Sequence, residues 1–345
     1  MLWAHLFHRA RYANNIFFML FLAPVVMVAV QPYLWHQSGL RIVEFLYEGL
    51  SRGYRPDTNF TVFFQGQKYF TRQLPWHYPF FVVGITTPLP ILALAGLAII
   101  RLPWLQQRIP EVSLFAVNGV FIIALGLMPG AVLHDGVRQL LSVLPFIAAL
   151  AGIGFYLFAE ALLRLTERLK VNRKTGLTQS TVSGLLFLLL SISPALDLYL
   201  IHPFQLSYYN TLVGGVRGAY ERGLEITYFM EAINPNFLRQ LNERLPREAK
   251  VHASFANFML DYYQKEGRLR KDIRIVKNGP FNFYTLLNRR SVIGPRESAL
   301  INGSVKPFLA AGIGGVPLMA VYEFSGPENS TLLAAPKPDK EGNDR

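Results

Sequence analysis

Long uncharged apolar runs constrain this chain more than any other feature. About 20 apolar residues rising ~1.5 Å each match a bilayer core of ~30 Å. Five stretches approach that length, over residues 15–35, 78–100, 112–128, 139–163 and 181–201. In lipid every backbone N–H and C=O needs an internal partner, so such runs become helices. After residue 202 charged and polar residues intersperse as in a water-exposed domain. The sequence therefore predicts an α-helical polytopic membrane domain of about five spans over residues 15–202, then a small extracytoplasmic α/β domain over 203–325 and a disordered tail over 326–345. His8, Arg9 and Arg11 precede the first run as in a signal peptide, but further apolar runs follow, and a retained helix is expected.

Lysine and arginine in short loops set orientation. Arg9, Arg11, Arg101, Arg108, Arg164, Arg168, Lys170, Arg173 and Lys174 fall in one set of connecting segments. The other set, residues 36–77 and 129–138, is sparser in positive charge, although Arg41, Arg52, Arg55, Lys68 and Arg72 lie in the longer loop. This places residues 1–14 in the cytoplasm and loop 36–77 with the C-terminal domain outside it, in a multi-pass protein of the plasma (inner) membrane. In loop 36–77, Leu40, Val43, Leu46, Tyr47 and Leu50 recur at helical spacing, opposite Arg41, Glu44, Glu48 and Arg52. That pattern predicts an amphipathic helix on the membrane surface. Pro88 and Pro90 predict a kink or break in the second run, since each removes a backbone donor.

Beyond residue 203, a helix is expected over Asn236–Leu245 behind an Asn234 cap, and another over Phe255–Gly267. Strands are expected at Lys250–Ala253, Ile273–Val276, Phe283–Leu287 and Val316–Phe324. Their alternation suggests an open, partly parallel sheet.

Composition excludes several chemistries. The chain has no cysteine, so disulfides, thiolate nucleophiles and cysteine-ligated metals are absent. Its seven histidines do not cluster, and neither a metal nor a cofactor is expected. A net charge of +12 suits anionic membrane lipids, given that much of it flanks apolar runs, and no nucleic-acid motif accompanies it.

Three polar, aromatic-rich motifs lie at one face of the predicted spans: Leu74-Pro75-Trp76-His77-Tyr78-Pro79, His134-Asp135-Gly136-Val137-Arg138, and His202 through Asn210. The first continues into Thr86-Thr87-Pro88-Leu89-Pro90, the second into Gln139 and Leu144-Pro145, the third into Gly214-Gly215, Gly218-Ala219 and Glu225-Ile226-Thr227-Tyr228. Taken in order, residues 30–325 resemble the C-terminal half of GT-C glycosyltransferases of family 39, the protein O-mannosyltransferase and aminoarabinose-transferase-like group. The resemblance implies transfer of a sugar from a polyprenyl-phosphate donor to an extracytoplasmic acceptor. In that family the catalytic carboxylate lies in an N-terminal half that the resemblance does not reach. A separate N-terminal half or a homologue is therefore an expected partner, beside the lipid donor and membrane lipids.

Such chemistry uses a carboxylate base near the acceptor hydroxyl and cations or donors at the leaving phosphate. Among the outward acids Glu44, Glu48, Asp57 and Asp135, only Asp135 shares a short loop with an arginine, Arg138, whose forked donors suit a phosphate. Asp135 is expected to orient Arg138 or to bind an acceptor. A local ion pair or turn would explain the same residues. Trp76, His77 and Tyr78 are candidates for the phosphate entrance or plain interface anchors, with Lys68 adding charge. Gln205, Tyr208 and Asn210 would meet sugar hydroxyls or tie the outer domain to the membrane core, and Glu225 and Tyr228 carry the same two readings. No catalytic residue is assigned. The rival function is a non-catalytic membrane scaffold whose outer domain binds a glycan or partner protein. A transporter is disfavoured, because the apolar runs show no internal repeat.

Overall fold

A computed structural model describes residues 10–51, 60–128, 130–168, 178–303 and 305–324. The predicted tail at 326–345, Arg9 and Asp57 lie outside the described residues. The chain divides into two units, Met1–Asn59 and Phe60–Arg345.

The first unit contains helices α1, Ala10–Val30, and α2, Ser38–Ser51. On α2 the apolar residues Leu40, Val43, Leu46 and Tyr47 are exposed, where the amphipathic pattern put a lipid-facing stripe. Arg41 and Glu44 pair at 2.8 Å, and the Tyr33 hydroxyl donates to the same carboxylate at 2.8 Å.

The second unit opens with a hairpin of β1, Thr61–Phe64, and β2, Gln67–Phe70, inside a segment expected to be a loop. Its turn residues Gln65 and Gly66 both have positive φ, the conformation that matches the twist of paired strands. Gly66 N–H donates to the Gly223 carbonyl at 2.9 Å, docking the hairpin tip.

The second apolar run forms two helices, α3, Tyr78–Thr86, and α4, Leu89–Ile100, separated by extended Thr87 and Pro88. Pro88 has no N–H to give the Gly84 carbonyl four residues back. Asn210 supplies the missing donor: its Nδ2 reaches Gly84 O and Thr87 O, both at 2.7 Å, while its own N–H donates to Ile85 O at 2.8 Å. The third run gives α5, Val112–Leu125. A 3-10 segment, Gly136–Val143, leads into α6, Leu144–Arg168, and α7 spans Gln179–Ile201.

Among the described residues two helices are long and apolar enough to cross a membrane, Gly136–Arg168 and Gln179–Ile201. Leu20–Val30, Leu89–Ile100 and Val112–Leu125 are apolar but shorter. The five expected runs are thus helical at unequal lengths, with the second broken by proline. The α4–α6 contact is close because both sides are small. Ala95, Ala98 and Ala151 are buried there, and a Cβ on Gly154 would stand 1.9 Å from Leu94 O.

The C-terminal part is a small α/β region. After α8, Gly215–Glu221, helix α9 covers Pro235–Arg244, with Asn234 Oδ1 accepting from Phe237 N at 3.0 Å as its cap. Then follow β3, Lys250–Ala253; α10, Asn257–Lys265; β4, Arg274–Ile275; β5, Phe283–Leu287; α11, Pro295–Asn302; β6, Leu309–Ile313; and β7, Val316–Glu323. The sheet order is β4-β3-β5-β7-β6, parallel through the first three strands and antiparallel through the last three. One core joins Val62 and Phe64 of the hairpin, Tyr78 and Val82 of α3, Leu140, Ile201 and Phe204, and Ile226, Phe237 and Val251. Residues on both sides of position 202 therefore pack together, and that shared core positions the site.

Candidate functional site

A cavity of about 510 Å³ opens where α3, the turn before α6 and the segment leaving α7 meet. Val82, Val137, Leu141 and Leu206 form its apolar wall. Asp135, Arg138, Gln205, Tyr208, Tyr209 and Tyr228 supply its polar groups. It brings two of the three sequence motifs together, with α3 extending from the first.

Asp135 is its electrostatic centre. It sits in left-handed backbone conformation at φ 56°, followed by Gly136 at φ 63°. The Asp-Gly pair tolerates that turn where bulkier residues would be strained. A Cβ on Gly136 would lie 2.8 Å from the Tyr228 ring, so glycine is also required for packing. The Asp135 side chain is only 8% exposed, and both oxygens are engaged. Arg289 Nη2 donates to Oδ1 at 2.8 Å, and Arg138 Nη1 donates to Oδ2 at 3.1 Å. His134 Nε2 stands 3.6 Å from Oδ2.

One carboxylate thus faces two guanidiniums, and the local balance is positive. Arg289 is spent internally: Nη1 also donates to Tyr228 O at 2.8 Å, and Nε donates to Ser291 Oγ at 3.2 Å. Arg138 is more open, with 54% of its side chain exposed and its guanidinium 5.4 Å from the Phe229 ring centre. Its remaining donors are those available to an anion in the cavity.

Beneath Asp135 lies a buried polar layer. The Tyr209 hydroxyl donates to Glu225 O and lies 3.4 Å from the Tyr228 hydroxyl. Burial raises the Tyr209 and Tyr228 phenols above their ordinary range, so both remain protonated donors at neutral pH. The Tyr78 hydroxyl is buried with no hydrogen-bond partner among the described residues. Glu225 is 1% exposed and accepts from Arg290 N and Ser291 N, both at 2.8 Å. Burial pushes its carboxyl up to about 7, against the opposing pull of Ser291, Arg290 N–H and Arg289.

Of the residues singled out in the sequence, Asp135, Arg138, Gln205, Tyr208 and Tyr228 line the cavity. Gln205 Nε2 lies 2.7 Å from His202 Nδ1, and the Tyr208 hydroxyl donates to Asp197 on α7 at 2.9 Å. The others lie elsewhere. Lys68 Nζ donates to Ile293 O at 2.7 Å, joining the hairpin to the α/β region. Trp76 is 75% exposed, with the His77 ring packed between it and Phe64. Tyr78 packs edge-on against Phe64, and Asn210 holds the α3–α4 break. Among the described residues no group of histidine or acidic side chains could hold a metal. Arg289 was not anticipated, because its Asp135 partner is 154 residues away and no spacing rule connects them.

A second cavity, about 350 Å³ and apolar, lies between α4, α6 and α7, walled by Pro90, Leu94, Ala151, Phe155, Phe187 and Pro194. Comparison with family models, curated proteins and solved structures returns no match.

Proposed function

We propose that this chain is the carrier-binding half of a GT-C-type membrane glycosyltransferase, and that its Asp135–Arg138 cavity takes the phosphate head of a polyprenyl-phosphate sugar. The observation carrying this reading is the pairing of one carboxylate with two arginines beside an apolar wall. A cationic spot on an apolar surface suits an amphiphile with an anionic head. The second, apolar cavity supports a lipid tail. Three chain segments run from one cavity to the other, Thr86 to Pro90, Leu141 to Ala148 and Gln205 back to Pro194.

In this reading the five apolar helices are spans of a plasma-membrane protein, and the α/β region stands outside the cytoplasm. An acceptor hydroxyl attacks the anomeric carbon, the bond to the carrier phosphate breaks, and the hydroxyl proton passes to a carboxylate base. Arg138 stabilises charge on the departing phosphate. Asp135 orients Arg138, since both its oxygens already accept from arginines. The base is then assigned to a partner, a separate N-terminal half or a homologue.

The test is native mass spectrometry of the detergent-purified protein with polyprenyl phosphate, and with the uncharged polyprenol as control. Binding of the phosphate alone, lost in Arg138→Ala, is expected. Equal retention of both lipids, or no effect of Arg138→Ala, would reject the phosphate site. Absence of binding by a folded protein would favour a scaffold whose outer domain binds a glycan or a protein.

A further inference from the structure

We propose that Glu225 is a positioning residue for the phosphate site: its carboxylate fixes the turn at residues 289–291 and thereby sets Arg289, Asp135 and Arg138 in order. The inference rests on the reading of the cavity as a phosphate site. The linkage is continuous in the structure. Glu225 Oε1 accepts from Arg290 N and Oε2 from Ser291 N, both at 2.8 Å. Holding two successive amides fixes the peptide planes on either side of Arg290, and so the direction in which Arg289 leaves the backbone. Arg289 then reaches Asp135 Oδ1 at 2.8 Å, and Asp135 Oδ2 accepts from Arg138 at 3.1 Å. Arg290 pins the same turn from the other side, its guanidinium 3.7 Å from the Tyr220 ring centre and donating to Tyr220 O at 3.0 Å.

Glu225 itself lies outside the cavity wall, so it acts only through this turn. Two amide donors are best met by two carboxylate oxygens. A protonated carboxyl offers one good acceptor and must place a donor of its own. The charged or titratable groups facing it are Arg289 and the phenols of Tyr78, Tyr209 and Tyr228. Burial raises the Tyr209 and Tyr228 phenols, so Glu225, pushed up to about 7, is the member of this cluster that changes charge near neutrality.

The experiment measures polyprenyl phosphate affinity from about pH 6 to about pH 8 for the wild type, Glu225→Gln and Arg138→Ala. The phosphate's own titration is common to all three and cancels in their ratios. Glu225→Gln should bind about tenfold more weakly than wild type at the alkaline end, the fold-change of one charge-assisted hydrogen bond, and the gap should close toward the acid end. Hydrogen exchange of a peptide covering residues 288–292 of the wild type, corrected for intrinsic rate, should show protection lost as pH falls. That arm needs no variant to fold. If Arg138→Ala abolishes binding while Glu225→Gln matches wild type at every pH, the positioning role is overturned and the phosphate site stands. Unchanged protection of the 288–292 peptide across pH would also overturn it. Failure of the wild type to bind overturns both.

Discussion

Asn210 Nδ2 donates to the carbonyl of Gly84, 126 residues earlier, which Pro88 leaves without its helical donor. One side chain from the end of the apolar region thus completes a broken helix near its start. Each unsatisfied buried carbonyl costs about 1–3 kcal/mol. Asn210→Ala strips donors from both Gly84 O and Thr87 O. It should lower stability by about 2–4 kcal/mol, measured by thermal unfolding in detergent, whereas Asn210→Gln should recover little because its amide is displaced by a methylene. A melting curve indistinguishable from wild type would show that the break is satisfied some other way.

Arg289→Ala leaves Asp135 buried with a single arginine. Removing one member of a buried ion pair costs about 3–5 kcal/mol, and the exposed Arg138 moderates that loss here. A destabilisation of about 2–3 kcal/mol is expected, together with loss of polyprenyl phosphate binding. Arg289→Lys should keep part of the stability, yet it cannot reach Asp135, Tyr228 O and Ser291 Oγ at once. Full binding by the lysine variant would mean that charge alone suffices.

Two glycines two residues apart on α6 should behave in opposite ways. A Cβ on Gly154 would meet Leu94 O at 1.9 Å, while one on Gly152 meets nothing within 4 Å. Gly154→Ala must push α4 from α6 and should cost about 1–3 kcal/mol. Gly152→Ala should be neutral or stabilise slightly through higher helix propensity. The pair is compared by detergent melting temperatures, and equal effects would place the α4–α6 contact elsewhere.

Glu225 gives stability a defined pH slope. Its carboxyl titrates near 7 in the folded chain and in the ordinary glutamate range when unfolded. Between those values the folded state holds a proton that the unfolded state has released. Stability therefore falls as pH rises through that window and levels off above about 7. Burial raises Glu231 as well, with the same sign. Denaturant melts from about pH 5 to about pH 8 should show this decline in the wild type and a shallower one in Glu225→Gln. Parallel slopes would mean that Glu225 titrates normally.

Much of the local structure was legible. The proline pair marked a break, the Asn234 cap and Pro235 marked the start of α9, and short apolar-rich runs marked β3, β5 and β7. The hairpin at 61–70 was not, since its strands are short and its Gln-Gly turn carries a weaker signal than Asn-Gly. β6, Leu-Ala-Ala-Gly-Ile, reads as no particular element until it pairs with β7. In the cavity, Asp135 and Arg138 stood out because they share one short turn between apolar runs. Arg289 follows a fully buried strand in an ordinary Asn-Arg-Arg sequence, and nothing local distinguishes it from a solvated arginine.

The length and apolarity of a run are local properties, so helices at each of the five stretches, and a mixed sheet after them, followed from the residues in order. Which polar groups meet is not local. Asn210 faces Gly84, Glu225 faces Arg290, and Arg289 faces Asp135 because one continuous core brings α3, the Asp135 turn and the α/β region against each other. Burying a charge or a carbonyl is tolerated only where a partner stands opposite. That requirement is met by packing across separations of 65 to 154 residues, and only the folded chain reveals which partner meets it.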